Sequence, residues 1–147
     1  MKKKPRRLLK KNILKSLQKK AEALWKDYCR KRDTSCRLCD GSNILQVHHI
    51  FSRKSKGLFL DVENGVLLCR DCHCSVTFND SVKDKLRRKI NPVVYDRLYE
   101  QSQDMGPFLE WKQISWLERQ IAVLEELVET YSPQNGTSSV YHCIKNH

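Results

Sequence analysis

The sequence contains no long apolar run. Its longest apolar stretches, of which Val66-Leu67-Leu68 is typical, are far too short to cross a bilayer, which takes about 20 residues. No signal peptide and no lipidation motif can be recognised. These absences argue against a membrane partner, and the sequence predicts a cytoplasmic protein.

Aromatic residues are also scarce, at 8% of the 147 residues, whereas charged residues make up 31%. A chain of this length predicts one domain with extensions and a core of modest size. We therefore expect bound metal to share the stabilisation of the fold with small hydrophobic clusters.

Acidic residues are few in the first 35 residues, which hold 14 Lys or Arg and three acids. Residues 36–147 hold 14 of each sign, so the whole net charge of +11 lies in the first 35 residues. A basic segment of this density favours nucleic acid, and its candidate DNA-binding residues are Arg6, Arg7, Lys10 and Lys11. The alternative is a solvated helix face that aids solubility.

Apolar spacing predicts helices towards both ends of the chain. Intervals of three and four predict a helix over residues 8–32, after a disordered tail of seven residues. The same spacing predicts a last helix over residues 108–131. Its apolar seam either packs on its own domain, against residues 8–32, or forms a homodimer.

The centre of the chain predicts two short strands and a helix. Strands are expected from Ile44 to Ile50 and from Val66 to Leu68, with Asn64-Gly65 as a hairpin-type turn signal. A helix should begin near Cys72 and continue to Ile90, and Pro92 should open another that reaches about Gln103. The predicted fold class is α+β. Its predicted divisions are a basic tail and helix (1–32), a compact core (33–90), C-terminal helices (91–131) and a flexible tail (132–147).

Seven cysteines, an odd number without a secretion signal, argue against a disulfide framework. Four of them form two Cys-x-x-Cys pairs, Cys36 with Cys39 and Cys69 with Cys72. Two such turns complete a tetrahedron of thiolates, so the spacing predicts a structural Zn²⁺. A redox motif is the alternative, but the thioredoxin-like sheet pattern that accompanies one is missing. Four thiolates leave no open position for water, so a catalytic ion must lie elsewhere.

His48 and His49 lie near the end of the first predicted strand, Asn64 lies just before the second, and His73 lies after it. Imidazole can bind a metal or take a proton near neutral pH, and phosphodiester hydrolysis needs both functions. The run Cys36-x2-Cys39, Val47-His48-His49-Ile50 and Asn64-Gly65-Val66-Leu67-Leu68-Cys69-x2-Cys72-His73 resembles the HNH endonuclease family, in particular its zinc-bearing branch that phages often encode. The resemblance covers about residues 24–80, including Trp25 and Arg32-Asp33 in the preceding helix.

The resemblance implies a ββα-metal core and a metal-dependent endonuclease acting on double-stranded DNA. By position, His48 and His73 would bind the catalytic divalent ion, which is Mg²⁺ or else Mn²⁺, Ni²⁺ or Zn²⁺. His49 would be the general base, and Asn64 would fix the loop between the strands and keep His49 oriented. In the basic loop after the histidines, further DNA contacts would come from Arg53 and Lys54.

The sequence departs from that branch at Thr77, where many members have a second histidine or an asparagine one helical turn after His73. A hydroxyl is a poor ligand, so water or Asp80 would complete the metal site. Strand geometry adds a condition, because His48 and His49 can serve one phosphate only if the strand ends or bulges there. Two alternatives remain, a non-catalytic zinc-finger nucleic-acid binder and a phage recombination or packaging accessory factor.

Overall fold

A computed structural model of the protein describes residues 4–52, 57–104 and 109–132, with side chains from Leu8 onward. This part of the chain forms five α-helices and a two-stranded antiparallel sheet. In chain order these are α1 (Lys4–Asp33), β1 (Leu45–His49), β2 (Gly65–Cys69), α2 (Arg70–Phe78), α3 (Asp80–Arg88), α4 (Pro92–Ser102) and α5 (Ile114–Thr130). The predicted α+β class, with a ββα core between flanking helices, is confirmed.

The two strands pair with Leu45 opposite Cys69 and His49 opposite Gly65. They are joined by residues 50–64, called here the inter-strand loop, which ends in a short 3₁₀ helix, Val62–Asn64. The predicted hairpin-type turn at Asn64-Gly65 is therefore wrong. Gly65 already belongs to β2, and its φ of −103° is extended, whereas the two-residue turn that Asn-Gly favours needs positive φ.

Helix α1 begins at Lys4, so the predicted disordered tail is wrong for residues 4–7. Lys and Arg have high helix propensity, and Pro5 is tolerated in a first helical turn. Helix α4, from Pro92 to Ser102, starts where its proline predicts. Helix α5 begins at Ile114, later than the predicted 108, and a 3₁₀ helix, Glu110–Lys112, precedes it.

The predicted helix to Ile90 is divided in two at Asn79. The Asn79 side chain accepts hydrogen bonds from the backbone N–H groups of Ser81 and Val82, so it caps α3. An asparagine that caps a new helix interrupts the old one, and α2 thereby stays only nine residues long.

Helix α5 packs along α1 in the same direction. Gln18 of α1 donates to the carbonyl of Trp111 at 2.8 Å, before α5, and Lys31 donates to the carbonyl of Val128 at 2.7 Å, near its end. The buried residues that the two helices share are Ala21, Trp25, Tyr28, Leu117, Ile121 and Leu124. The apolar seam of α5 thus packs on its own domain, whereas the homodimer through residues 108–131 stays a prediction.

A second, smaller cluster lies between the sheet and helices α2 and α3. Its buried members are Cys36, Val66, Leu68, Val76 and Leu86. None of the described helices combines the length and the apolar character that a membrane span requires.

Candidate metal and catalytic site

The four paired cysteines come together beside the start of α2. Their sulfur atoms all lie within 4.8 Å of one another, and Cys39 Sγ is 3.7 Å from Cys69 Sγ. Ligands at about 2.3 Å in a tetrahedron are separated by about 3.8 Å, which fits this spacing. The cluster can therefore bind a metal such as zinc.

Cys36 and Cys39 lie in a tight turn, and the backbone of this turn is hydrogen-bonded to β2. Cys36 N–H donates to the carbonyl of Gly41 at 2.9 Å, and Asp40 N–H donates back to the carbonyl of Cys36 at 2.8 Å. Asp40 has a φ of +61°, a left-handed conformation that aspartate tolerates. Next to Cys36, Arg37 N–H donates to the carbonyl of Leu67 in β2 at 2.9 Å. This last bond brings the first pair towards the second, at the end of β2.

Electrostatics in the cluster favour a bound cation. Burial raises the pKa of Cys36, but hydrogen bonds from the backbone of its neighbours outweigh burial and lower it to about 7. Burial and hydrogen bonds among the sulfurs raise the pKa of Cys72 well above its usual range. Four thiolates this close cannot all ionise without a positive charge between them, and a metal ion supplies it.

His48 and His73 face each other across the sheet and α2. Their ring centroids are 4.9 Å apart, and the rings are nearly perpendicular, at 89°. Burial, together with smaller contributions from the charges of His73 and His49, lowers the pKa of His48 to about 4. His48 is therefore neutral at pH 7, the form of imidazole that binds a metal.

His49 is held from two sides at the end of β1. Its ring stacks on the indole of Trp25, with centroids 4.1 Å apart and planes 15° from parallel. Its Nε2 lies 3.0 Å from the carbonyl oxygen of Phe59 in the inter-strand loop. A carbonyl only accepts, so Nε2 of the neutral ring carries the proton and Nδ1 carries the lone pair.

Asn64 holds the inter-strand loop at both of its ends. Its Oδ1 accepts from Phe51 N–H at 2.8 Å, and its Nδ2 donates to the carbonyls of Phe51 at 3.2 Å and Leu58 at 3.0 Å. The side chain is fully buried. An amide suits this place because the loop presents both a donor and acceptors to one side chain.

These residues lie in one segment that matches a known family. Residues 27–78 fit the family model described as HNH endonuclease. The chain contains an HNH domain. An HNH domain supports a nuclease-type function and the use of a divalent metal. No curated protein and no solved structure matches the chain.

A charged pair at the end of α1 holds this helix against the 3₁₀ helix and β2; the sequence indicated the pair only through the family resemblance. The guanidinium of Arg32 bonds the carboxylate of Asp33 at 2.8 and 2.9 Å and donates to the carbonyls of Val62 at 2.7 Å and Gly65 at 2.5 Å. Asp33 in turn accepts from Leu67 N–H at 2.9 Å. The pair thus connects α1, the 3₁₀ helix and β2 where the histidines gather.

Gly65 lies where α1 approaches β2 most closely. A Cβ atom there would lie 2.6 Å from Trp25 Cζ2 and would also overlap the sulfur of Cys29. Glycine is therefore required here by space, whereas the sequence suggested a turn.

The structure describes the predicted DNA-binding residues only in part. Lys10 and Lys11 are exposed on α1. The side chains of Arg6 and Arg7, and the whole of Arg53 and Lys54, are outside the described residues. The roles predicted for these four stay predictions.

Thr77 and Asp80 show contacts of their own. The Thr77 hydroxyl donates to the carbonyl of His73 at 2.9 Å, and Asp80 is exposed and pairs with Lys83 at 2.9 Å. Within the described ranges, the four cysteines are the one group of three or more His, Cys, Asp or Glu side chains that could hold an ion. Nothing here favours Thr77 or Asp80 as a third ligand beside His48 and His73.

Proposed function

We propose that the protein is a metal-dependent endonuclease that hydrolyses phosphodiester bonds in double-stranded DNA. The observation that carries this proposal is the arrangement of three histidines in an HNH domain. Two of them, His48 and His73, have rings 4.9 Å apart. The third, His49, has its Nε2 against a backbone carbonyl. Phosphodiester hydrolysis needs these two functions, a divalent ion and a base.

His49 acts as the general base in this proposal. Its Nδ1 takes a proton from the attacking water, whose oxygen forms the new bond to phosphorus while the bond to the 3′ oxygen breaks. The leaving oxygen takes up a proton from solvent. The Phe59 carbonyl and the Trp25 face stabilise the imidazolium that forms, through a charged hydrogen bond and a cation–π contact. General-base help of this kind contributes ~10²- to 10⁴-fold in rate.

His48 and His73 would hold the divalent ion of the reaction. Such an ion stabilises negative charge on the phosphate and on the leaving oxygen. Two neutral imidazoles are ligands that Mn²⁺, Ni²⁺ or Zn²⁺ accept readily, whereas Mg²⁺ prefers oxygen ligands. Mg²⁺ would therefore depend more on phosphate and water oxygens, and the test includes all of these ions.

Zn²⁺ is the ion proposed for the four cysteines, because four thiolates in a tetrahedron are typical of structural zinc. DNA would be held by the basic surface of α1, where Lys10 and Lys11 are exposed, and by the loop with Arg53 and Lys54. Contacts to ~6–10 phosphates would weaken binding ~10³- to 10⁵-fold between 50 and 200 mM salt.

The deciding experiment is nicking of supercoiled plasmid DNA by the full chain with Mg²⁺, Mn²⁺, Ni²⁺ or Zn²⁺. We expect nicking that needs a divalent ion and falls at least ~10²-fold in His49→Ala. Matched measurements of DNA binding should show that this variant still binds. DNA binding without nicking under any ion would instead favour the non-catalytic zinc-finger alternative. A tight protein complex through residues 108–131 that is indifferent to His48→Ala would favour the accessory factor.

A further inference from the structure

Two residues outside the HNH match contact the inter-strand loop. Trp25 lies in α1 and is fully buried. Arg97 lies in α4, with its side chain 27% exposed. Both contact Asp61, the residue that precedes the 3₁₀ helix of the loop.

Asp61 is held through its backbone and through its side chain. Its carbonyl accepts from Trp25 Nε1 at 2.9 Å. Its carboxylate accepts from Arg97 Nη1 at 2.7 Å and from Arg97 Nη2 at 3.3 Å, a two-pronged contact that only a guanidinium can make. The same carboxylate accepts from Glu63 N–H at 2.9 Å and so begins the 3₁₀ helix that ends at Asn64.

The indole of Trp25 connects this anchor to the base. One side of the ring stacks on His49, and the ring N–H bonds Asp61. His49 in turn bonds the carbonyl of Phe59, two residues before Asp61. A shift of Asp61 would therefore move the hydrogen-bond partner of His49 and the ring on which His49 is stacked.

We propose that Trp25 and Arg97 are positioning residues of the nuclease site, a proposal that rests on the function proposed above. Together they hold Asp61 and thereby set the orientation of the His49 ring towards the phosphate. Misplacing a catalytic group by about 1 Å can cost ~10²-fold in rate. Residues 27–78 are then insufficient for full activity, because α1 and α4 complete the site.

The test compares Arg97→Gln and Arg97→Lys with wild type in steady-state nicking by the full chain. We expect Arg97→Gln to lower kcat ~10- to 100-fold with KM changed less than about twofold, since DNA contacts stay intact. Arg97→Lys should recover part of the loss because it keeps the charge without the second prong. Arg88→Gln is the matched control. It removes an exposed Arg–Asp pair within α3, with Asp84 at 2.5 Å, which does not involve the loop, and should retain wild-type rates.

A second readout does not depend on activity. The His49 ring signal in the NMR spectrum, assigned with His49→Ala, should be displaced by the ring current of Trp25 and should move towards its unstacked position in Arg97→Gln. If Arg97→Gln does not fold, Arg97→Lys and Trp25→Phe decide by the same two measurements.

Each outcome decides the proposal. A folded Arg97→Gln with wild-type kcat and an unmoved His49 signal overturns it while the nuclease function stands. A raised KM with unchanged kcat also overturns it, because Arg97 would then be a DNA contact. A wild-type chain that nicks no DNA with any divalent ion overturns both this proposal and the function on which it rests.

Discussion

Replacing Asn64 by alanine removes three hydrogen bonds from the inter-strand loop, one of them buried and two partly buried. A typical internal hydrogen bond contributes about 1 kcal/mol, and the backbone groups of Phe51 and Leu58 would be left without this partner. We therefore expect the free energy of unfolding to fall by about 3 kcal/mol. Since domains are stable by ~5–15 kcal/mol, the variant should still fold.

Urea denaturation with zinc present measures this loss, and plasmid nicking measures its effect on the site. Asn64→Asp is the matched variant: it keeps the acceptor for Phe51 N–H, loses both donor bonds, and buries a carboxylate. It should be destabilised as well, because a buried charge costs more than an amide. A loss below about 1 kcal/mol in Asn64→Ala would refute the reasoning that this side chain holds the loop.

Three further predictions concern the core around the site. Removing the metal with a chelator, or replacing Cys36 by serine, should unfold the region of β1, β2 and α2. Hydrogen exchange should show this as a loss of amide protection in that region. Native-like protection in the zinc-free chain would contradict this prediction. Gly65→Ala should destabilise the protein by about 1–3 kcal/mol in urea, because the new methyl group meets Trp25; a neutral effect would show that α1 can move away. Burial raises the pKa of the Cys29 thiol from 9.0 to about 12, so the unfolded chain loses this proton first and stability falls as pH rises from about 9 towards 12. At pH 10 this loss is about 1 kcal/mol, and Cys29→Ala should show a shallower fall between pH 8 and pH 10 than wild type.

Local patterns predicted the elements that depend on neighbouring residues. Helix α4 begins at Pro92 because proline suits a first helical turn, and α5 follows the apolar spacing that was read from the chain. The strands came within a residue or two of their bounds. The division at Asn79 was missed, because an asparagine inside a helical pattern becomes a cap only when the chain turns there.

The roles of Asn64 and Gly65 could not be predicted from local sequence patterns. The pair carries a strong turn signal, yet Gly65 is there because α1 leaves no room for a Cβ, and Asn64 is there to bond the loop. Both reasons involve residues distant in sequence, which no local pattern records. The ion pair of Asp61 and Arg97 was not predicted for the same reason, because the two residues are 36 positions apart in the sequence.

By itself the sequence determined the kinds of ligand this protein can offer. Four thiolates in two pairs and histidines around one strand follow from residue types and short spacings, which are properties of the chain alone. Only the tertiary structure decided which atoms meet. It set the 4.9 Å between His48 and His73, the nitrogen of His49 that carries the proton, and the support of the loop from α1 and α4. Such distances arise when helices and strands pack, and packing depends on volumes and hydrogen bonds summed over the whole fold.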